Sequence, residues 1–195
     1  MSQILTYLEQ RIFFPWRFKY LTNLLIPHLK NVTEVLDVGS GDGNLIKYLQ
    51  SELNTVKFTA IDTYIQPNAV IPIKKYDGKS FPFDNNSFDC VMFNDVLHHT
   101  TDPKHIFEEA CRVSRKYILL KDHYWKWSWD RFLLKVGDYM GNKPYGIDLP
   151  NNFFSIREWA ALFNANCLRV EYLYAWRYNV LDIGKQIFLR LKKKK

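Results

Sequence analysis

This 195-residue chain predicts an α/β fold built on a doubly wound, mostly parallel sheet. Three observations carry that reading. Short apolar runs alternate with segments of helical periodicity along most of the chain. One run, Glu34-Val35-Leu36-Asp37-Val38, passes at once into a glycine-rich turn and then a helical pattern from Leu45. The last two apolar runs, 167–175 and 185–191, are joined by a connection too short for a helical crossover and should pair as a hairpin. Together these predict seven strands in the order 3-2-1-4-5-7-6, the last of them antiparallel.

Taken in order, residues 2–14 show helical spacing broken at Pro15, and a second helix is expected from Pro15 to about Ile26, before Pro27. This 1–30 region reads as a helical cover, or as ordinary packing on the sheet. Strands are predicted near 34–38, 56–61, 71–76, 88–93, 116–121, 167–175 and 185–191, and helices near 43–53, 103–113, 129–140 and 156–164. Two helix starts are marked chemically. Asp102-Pro103 places a cap before a proline in the first turn, and Ser155-x-x-Glu158 is a capping box. Only seven residues separate Asp62 from Val70, Pro67 among them, whereas a parallel crossover needs about a dozen or more. The second crossover must be shortened, leaving the third strand poorly covered. No repeat or linker divides the chain, so 1–195 reads as one domain.

The glycine turn is the most informative segment. Gly39, Gly41 and Gly43 let the backbone turn sharply and approach a ligand that a Cβ would push away, and amides at the following helix start are free donors. A dinucleotide fingerprint would place glycine at position 44, where Asn44 stands, which disfavours an NAD-dependent oxidoreductase. Asp62 ends the next apolar run and is placed to accept both hydroxyls of a ribose; the plain alternative is a turn aspartate. A third block, Tyr76-Asp77-Gly78-Lys79-Ser80-Phe81-Pro82-Phe83 through Ser87-Phe88-Asp89-Cys90-Val91, is followed by Asn94-Asp95-Val96-Leu97-His98-His99.

Taken together, these blocks resemble class I S-adenosylmethionine-dependent methyltransferases of the small-molecule, type 11-like group. The resemblance is carried by G-x-G-x-G and by a D-x-x-x-P-F…S-F-D-x-V stretch. It implies a Rossmann-like fold, S-adenosylmethionine as cofactor, and transfer of its methyl group to an O, N or C atom of an acceptor. It further implies that Asp77 accepts the adenine amino group, that Gly78 offers its amide to the ring, and that Asn94 and Asp95 lie beside the methionine half. Asp37, Gly39, Ser40, Gly41, Gly43 and Asp62 complete the cofactor-side candidates. Asp77-Gly78 is equally a common turn dipeptide.

An acceptor hydroxyl would gain from a base near the transferred methyl, and His99, His98 and His123 are the candidates; each could equally cap a strand or pack. No metal is expected: there is no H-x-x-x-H or C-x-x-C spacing, and the aspartates have cofactor-side explanations. Hydrolase-elbow and Walker frames are also missing around the glycines. Residues 122–154 crowd Tyr124, Trp125, Trp127, Trp129, Phe132, Tyr139, Tyr145, Phe153 and Phe154 among glycines and prolines. After the fifth strand, such a segment suits acceptor specificity. A small, largely apolar acceptor is expected between it and the N-terminal helices, near His99 and His123.

The net charge of +7 is concentrated at one end: six cations and no acid follow Asp182, leaving +1 for residues 1–184. Nucleic acid is therefore not the expected partner, since phosphate needs a basic channel. The terminal lysines read as a solvated end, with weak contact to acidic lipid or RNA as the minority reading. Three scattered cysteines read as reduced thiols, and no signal peptide is apparent, so a cytoplasmic location is expected. Two other functional classes stay open: a catalytically silent S-adenosylmethionine-binding regulatory or scaffold protein, and an RNA or lipid methyltransferase.

Overall fold

The computed structural model describes residues 14–142, 150–177 and 184–194. In chain order the elements are α1 (Phe14–Leu29), β1 (Glu34–Val38), α2 (Asn44–Glu52), β2 (Lys57–Asp62), β3 (Lys74–Lys75), β4 (Phe88–Asn94), a 3-10 turn Leu97–His99, α3 (Pro103–Val113), β5 (Ser114–Tyr124), α4 (Ser128–Asn142), α5 (Ile156–Ala165), β6 (Leu168–Trp176) and β7 (Lys185–Lys193). The strands form one seven-stranded sheet in the order β3-β2-β1-β4-β5-β7-β6. β7 runs antiparallel to both β5 and β6, while the other pairings are parallel. This is the predicted topology. The expected helix at 2–14 lies outside the described residues.

Strand periodicity sorts the apolar side chains into two cores. Leu36 and Val38 of β1, Val91 and Phe93 of β4, and Ile118 and Leu120 of β5 point to one face. There α3 lays down Ile106, Phe107, Ala110 and Val113, and α5 adds Trp159, Leu162 and Phe163. Val35, Cys90, Met92 and Leu119 point to the other face, covered by Leu25 and Leu29 of α1 and by Ile46 and Leu49 of α2. Central strands buried on both faces need such near-continuous apolar runs. The marked helix starts hold: Asp102 accepts from the His105 amide at 3.1 Å, and Ser155 and Glu158 cap each other reciprocally.

Two differences from expectation have clear causes. β3 shrinks from the predicted 71–76 to Lys74–Lys75, because the loop after Asp62 is held elsewhere: the Val70 amide donates to the Asp42 carbonyl at 2.9 Å. That bond ties the shortened crossover to the glycine turn, and both residues of β3 are left exposed. The C-terminal lysines are not simply a solvated tail. Lys192 and Lys193 belong to β7; Lys192 pairs with Glu171 and Lys193 with the Ser114 carbonyl.

The three turn glycines differ in what they need. A Cβ on Gly39 would lie 2.6 Å from Val96, and one on Gly43 would lie 2.4 Å from Ile71. A Cβ on Gly41 would meet only the Gln66 amide nitrogen, at 3.6 Å. All three have positive φ. Gly39→Ala should therefore lose about 2–4 kcal/mol of unfolding free energy, from left-handed strain plus overpacking. Gly41→Ala should lose only the strain component, about 1–2 kcal/mol. Denaturant unfolding of the two variants side by side checks this; equal losses would contradict the assignment.

Candidate functional site

The carboxyl ends of β1 to β4 gather the cofactor-side candidates. The amides of Gly39 and Ser40 donate to the Ile61 carbonyl at 2.9 and 3.3 Å, pressing the glycine turn against the end of β2. Asp62 then closes the turn: its carboxylate accepts from the Gly41 amide at 2.9 Å and the Tyr64 amide at 3.1 Å. The Tyr76 amide donates to the Asp62 carbonyl at 3.0 Å, so Asp77 and Gly78 follow directly beside β2, with Gly78 next to Thr63. Asp77 is exposed and accepts from the Lys79 and Ser80 amides, both at 2.8 Å, which hold its carboxyl below the usual range. This is the turn reading of Asp77-Gly78, and it leaves the second carboxylate oxygen toward solvent.

Asp37 lies at the centre of this rim. It is 2% exposed, its backbone carbonyl accepts from the Ser40 hydroxyl at 3.1 Å, and the Asn94 side-chain amide stands 3.5 Å from its carboxylate. Burial, with the Asp62 charge adding, pushes its carboxyl up to about 7. Asp37, Gly39, Ser40, Gly41, Gly43, Asp62, Asp77, Gly78, Asn94 and Asp95 thus share one rim. The backbone leaves a Cβ-free approach over Gly41, with an acid on each side.

One strand further along, the three histidines meet. The rings of His98 and His99 are 4.0 Å apart, those of His98 and His123 are 5.2 Å apart, and Phe153 stacks on His98 at 4.9 Å. They sit in a polar cluster that sequence reasoning only partly reached. His98 Nδ1 is 2.5 Å from Asp122, which is wholly buried. Lys121, also wholly buried, pairs with Asp95, which His123 approaches at 3.4 Å and Arg17 at 3.9 Å. Gln186 lies 3.0 Å from His123 Nε2, and Asp138 of α4 lies 3.8 Å from His99 Nε2. Lys121 and Asp122 adjoin His123 in sequence; nothing in the sequence points to Arg17, Asp138 or Gln186, which come from α1, α4 and β7.

Electrostatics divides the histidines. Burial alone would lower His98, but the Asp122 carboxylate outweighs it and holds the ring above its ordinary value. His99 is pushed down by burial and then by the neighbouring His98 charge, and His123 mainly by burial. Burial would raise Asp95, but Lys121 and His123 hold it down at about 2. Ligand atoms of His98, Asp122 and His123 lie within 4.8 Å of one another, as do those of His98, His99 and Asp138.

The aromatic segment divides in two. Phe153 and Phe154 are buried, and Trp125 Nε1 donates to the Phe153 carbonyl at 2.9 Å, closing the histidine cluster from one side. Trp127, Trp129, Phe132 and Tyr139 face solvent instead, and Tyr145 lies outside the described residues. The described aromatics thus fall into a group over the histidines and an outward-facing stripe. Two surface cavities, of about 630 and 340 Å³, lie on the β6–β7 side and include no residue of this rim.

The seven-stranded sheet is the Rossmann-like fold of its methyltransferase structural neighbours. Residues 36–117 match Methyltransf_11, a methyltransferase domain. An uncharacterized methyltransferase of Bacillus subtilis, YcgJ, is 26% identical over 156 residues, covering 73% of this chain and 59% of the relative's length. The crystal structure of YcgJ superposes with a TM-score of 0.70 at 17% identity, over 91% of this chain and 99% of that one. A SAM-dependent methyltransferase from Methanosarcina mazei superposes at 0.63 with 16% identity, over 87% and 96%. The [4+2]-cyclase SpnF superposes at 0.66 with 13% identity, over 89% and 80%. The family implies S-adenosylmethionine as the cofactor.

Asp37 gives this rim a pH signature. Its folded value of about 7 stands above the ordinary aspartate value of 3.8, so between them the fold holds a proton that the unfolded chain has released. The stability this contributes is full below about pH 4 and lost as pH rises through about 7. Asp37→Asn should flatten that decline, raising stability at pH 8 relative to the parent by on the order of 2–4 kcal/mol. Thermal melts of both chains from pH 5 to pH 8, about the range in which Asp37 titrates, check this; parallel curves would remove the assignment.

Proposed function

We propose that the chain transfers a methyl group from S-adenosylmethionine to an O, N or C atom of a small, largely apolar acceptor. The observation carrying this reading is the shared rim. Gly41 offers a backbone approach without a Cβ, and Asp62 retains acceptor capacity beyond the two amides it binds. These features fit a nucleoside, whose ribose hydroxyls need strong acceptors and whose close approach needs glycine. Asp62 would hold the ribose, Asp77 and Gly78 the adenine, and Asp37, Asn94 and Asp95 the methionine half. Bound there, S-adenosylmethionine supplies an electrophilic methyl on a sulfonium. The chain's own part is to orient the acceptor, exclude water and take up a proton.

His99 is the histidine suited to receive that proton. His98 has Asp122 at its Nδ1 and is biased toward the charged form. His123 has Gln186 at its Nε2 and Asp95 near its Nδ1. His99 is biased to the neutral form, its Nδ1 is buried with no hydrogen-bond partner among the described residues, and Asp138 stands beside its Nε2. An acceptor hydroxyl at Nδ1 would satisfy that nitrogen, and the Asp138 carboxylate would stabilise the imidazolium formed. His98 and His123 then act on His99 and on the acceptor's surroundings as positioning residues.

Calorimetry with S-adenosylmethionine tests the first half. Asp62→Ala should weaken binding about ten-fold or more, as expected from losing charged hydrogen bonds of ~1.5–3 kcal/mol. A chain that does not bind would be left as a scaffold. A labelled-methyl screen of small acceptors tests the second half. His99→Gln should cut turnover about 10²–10⁴-fold while cofactor affinity holds; unchanged turnover would reassign the base.

A further inference from the structure

Helix α4 is turned inside out for a helix bathed in water. Its acids face the protein: Asp138 lies beside His99, and Asp130 pairs with Lys185 while accepting from the Lys126 and Trp127 amides. Leu134 is buried against the protein, but a second apolar stripe faces solvent. Trp129, Phe132, Val136 and Tyr139, spaced to share one face, are 66%, 55%, 36% and 59% exposed, and Trp127 just before them is 65% exposed. The rings of Trp129 and Phe132 lie 5.5 Å apart. Around this stripe the exposed charges of residues 126–139 are all positive: Lys126, Arg131 and Lys135. Two of them lie over aromatic rings, Lys126 over Trp127 and Arg131 over Trp125, each at 5.5 Å.

We propose that this face of α4 is a membrane-docking surface, seating the helix in the headgroup layer of an anionic bilayer. Tryptophan and tyrosine settle where an apolar ring meets water, and flanking cations are drawn to anionic headgroups. The helix lies on the surface; no helix among the described residues is long and apolar enough to cross a membrane. The charge pattern decides the occupant, since three exposed cations without an exposed acid repel a second copy of the same face and suit a lipid surface.

Docking here has a consequence for the site. The inner face of α4 touches His99, so the histidine cluster would stand about one helix diameter, ~10 Å, from the lipid. This deepens the proposed function and rests on it for the identity of the acceptor: an apolar molecule that partitions into the bilayer. The lysine-rich end of β7 is not part of the surface. β7 pairs Lys185 with Tyr124 and Lys192 with Tyr117, which sets Lys192 and Lys193 at the opposite end of β5 from α4.

The experiment is sedimentation of the full chain with phosphatidylcholine vesicles, with and without phosphatidylglycerol, and with no cofactor or acceptor present. Binding is expected to the anionic vesicles, and to weaken as salt is raised. The double variant Trp129→Ser/Phe132→Ser should bind about ten-fold or more weakly, with its melting temperature kept because both rings face solvent. Equal binding by that variant would show net charge acting alone and overturn the proposal. So would a chain that ignores the vesicles, or one that dimerises on a sizing column through these rings. A chain that docks as expected but binds no S-adenosylmethionine keeps the docking face and loses the methyl-transfer reading.

Discussion

The ion pair between Lys121 and Asp95 is the joint on which the site depends. An ammonium with no solvent exposure survives only beside an opposite charge, and Asp95 supplies it from the residue after β4. Asp95 takes a left-handed backbone, φ 58°, and its amide donates to the Lys121 carbonyl at 2.8 Å, so the chain turns here under double constraint. That turn sets the 3-10 segment carrying His98 and His99. It also brings Val96 against Gly39, which fixes the glycine turn from behind. The cofactor rim and the histidine cluster therefore share one support.

What the sequence made legible follows from how locally each feature is built. The glycine turn, Asp62 and the Asp77 block act through backbone amides and strand-tip acids within contiguous stretches, so residue type and spacing alone expose them. The strand order was legible for the same kind of reason. Buried parallel strands leave near-continuous apolar runs, and the short link before Lys185 allows only a hairpin. β3 was overestimated, because the apolar Ile71 belongs under Gly43 rather than in a strand, and nothing local distinguishes the two uses.

The histidine cluster was legible only in part. His98, His99, Asp122 and His123 flank recognisable strand ends, but Arg17, Asp138 and Gln186 arrive from three distant elements and are specified by tertiary packing alone. The same holds for the aromatics of 122–154. Composition showed that the segment is unusual, and only the burial of Phe153 against His98, set beside the exposure of Trp129 and Phe132, shows that it serves two surfaces.

This distribution bears on how the fold carries chemistry. A cyclase and a methyltransferase superpose on this chain about equally well, so the fold by itself does not fix which bond changes. What remains to choose the reaction is the state of the side chains around the acceptor. Here the three histidines differ in the charges packed beside them. Asp122 is spent on His98, Asp95 on Lys121, and the charge so fixed on His98 presses its neighbour His99 toward neutrality. Three histidines of one chemical type thus acquire different protonation tendencies from the charges packed beside them. Lys121 and Asp95 support this balance through their pairing, and removing the Lys121 charge would leave Asp95 facing Arg17 and His123.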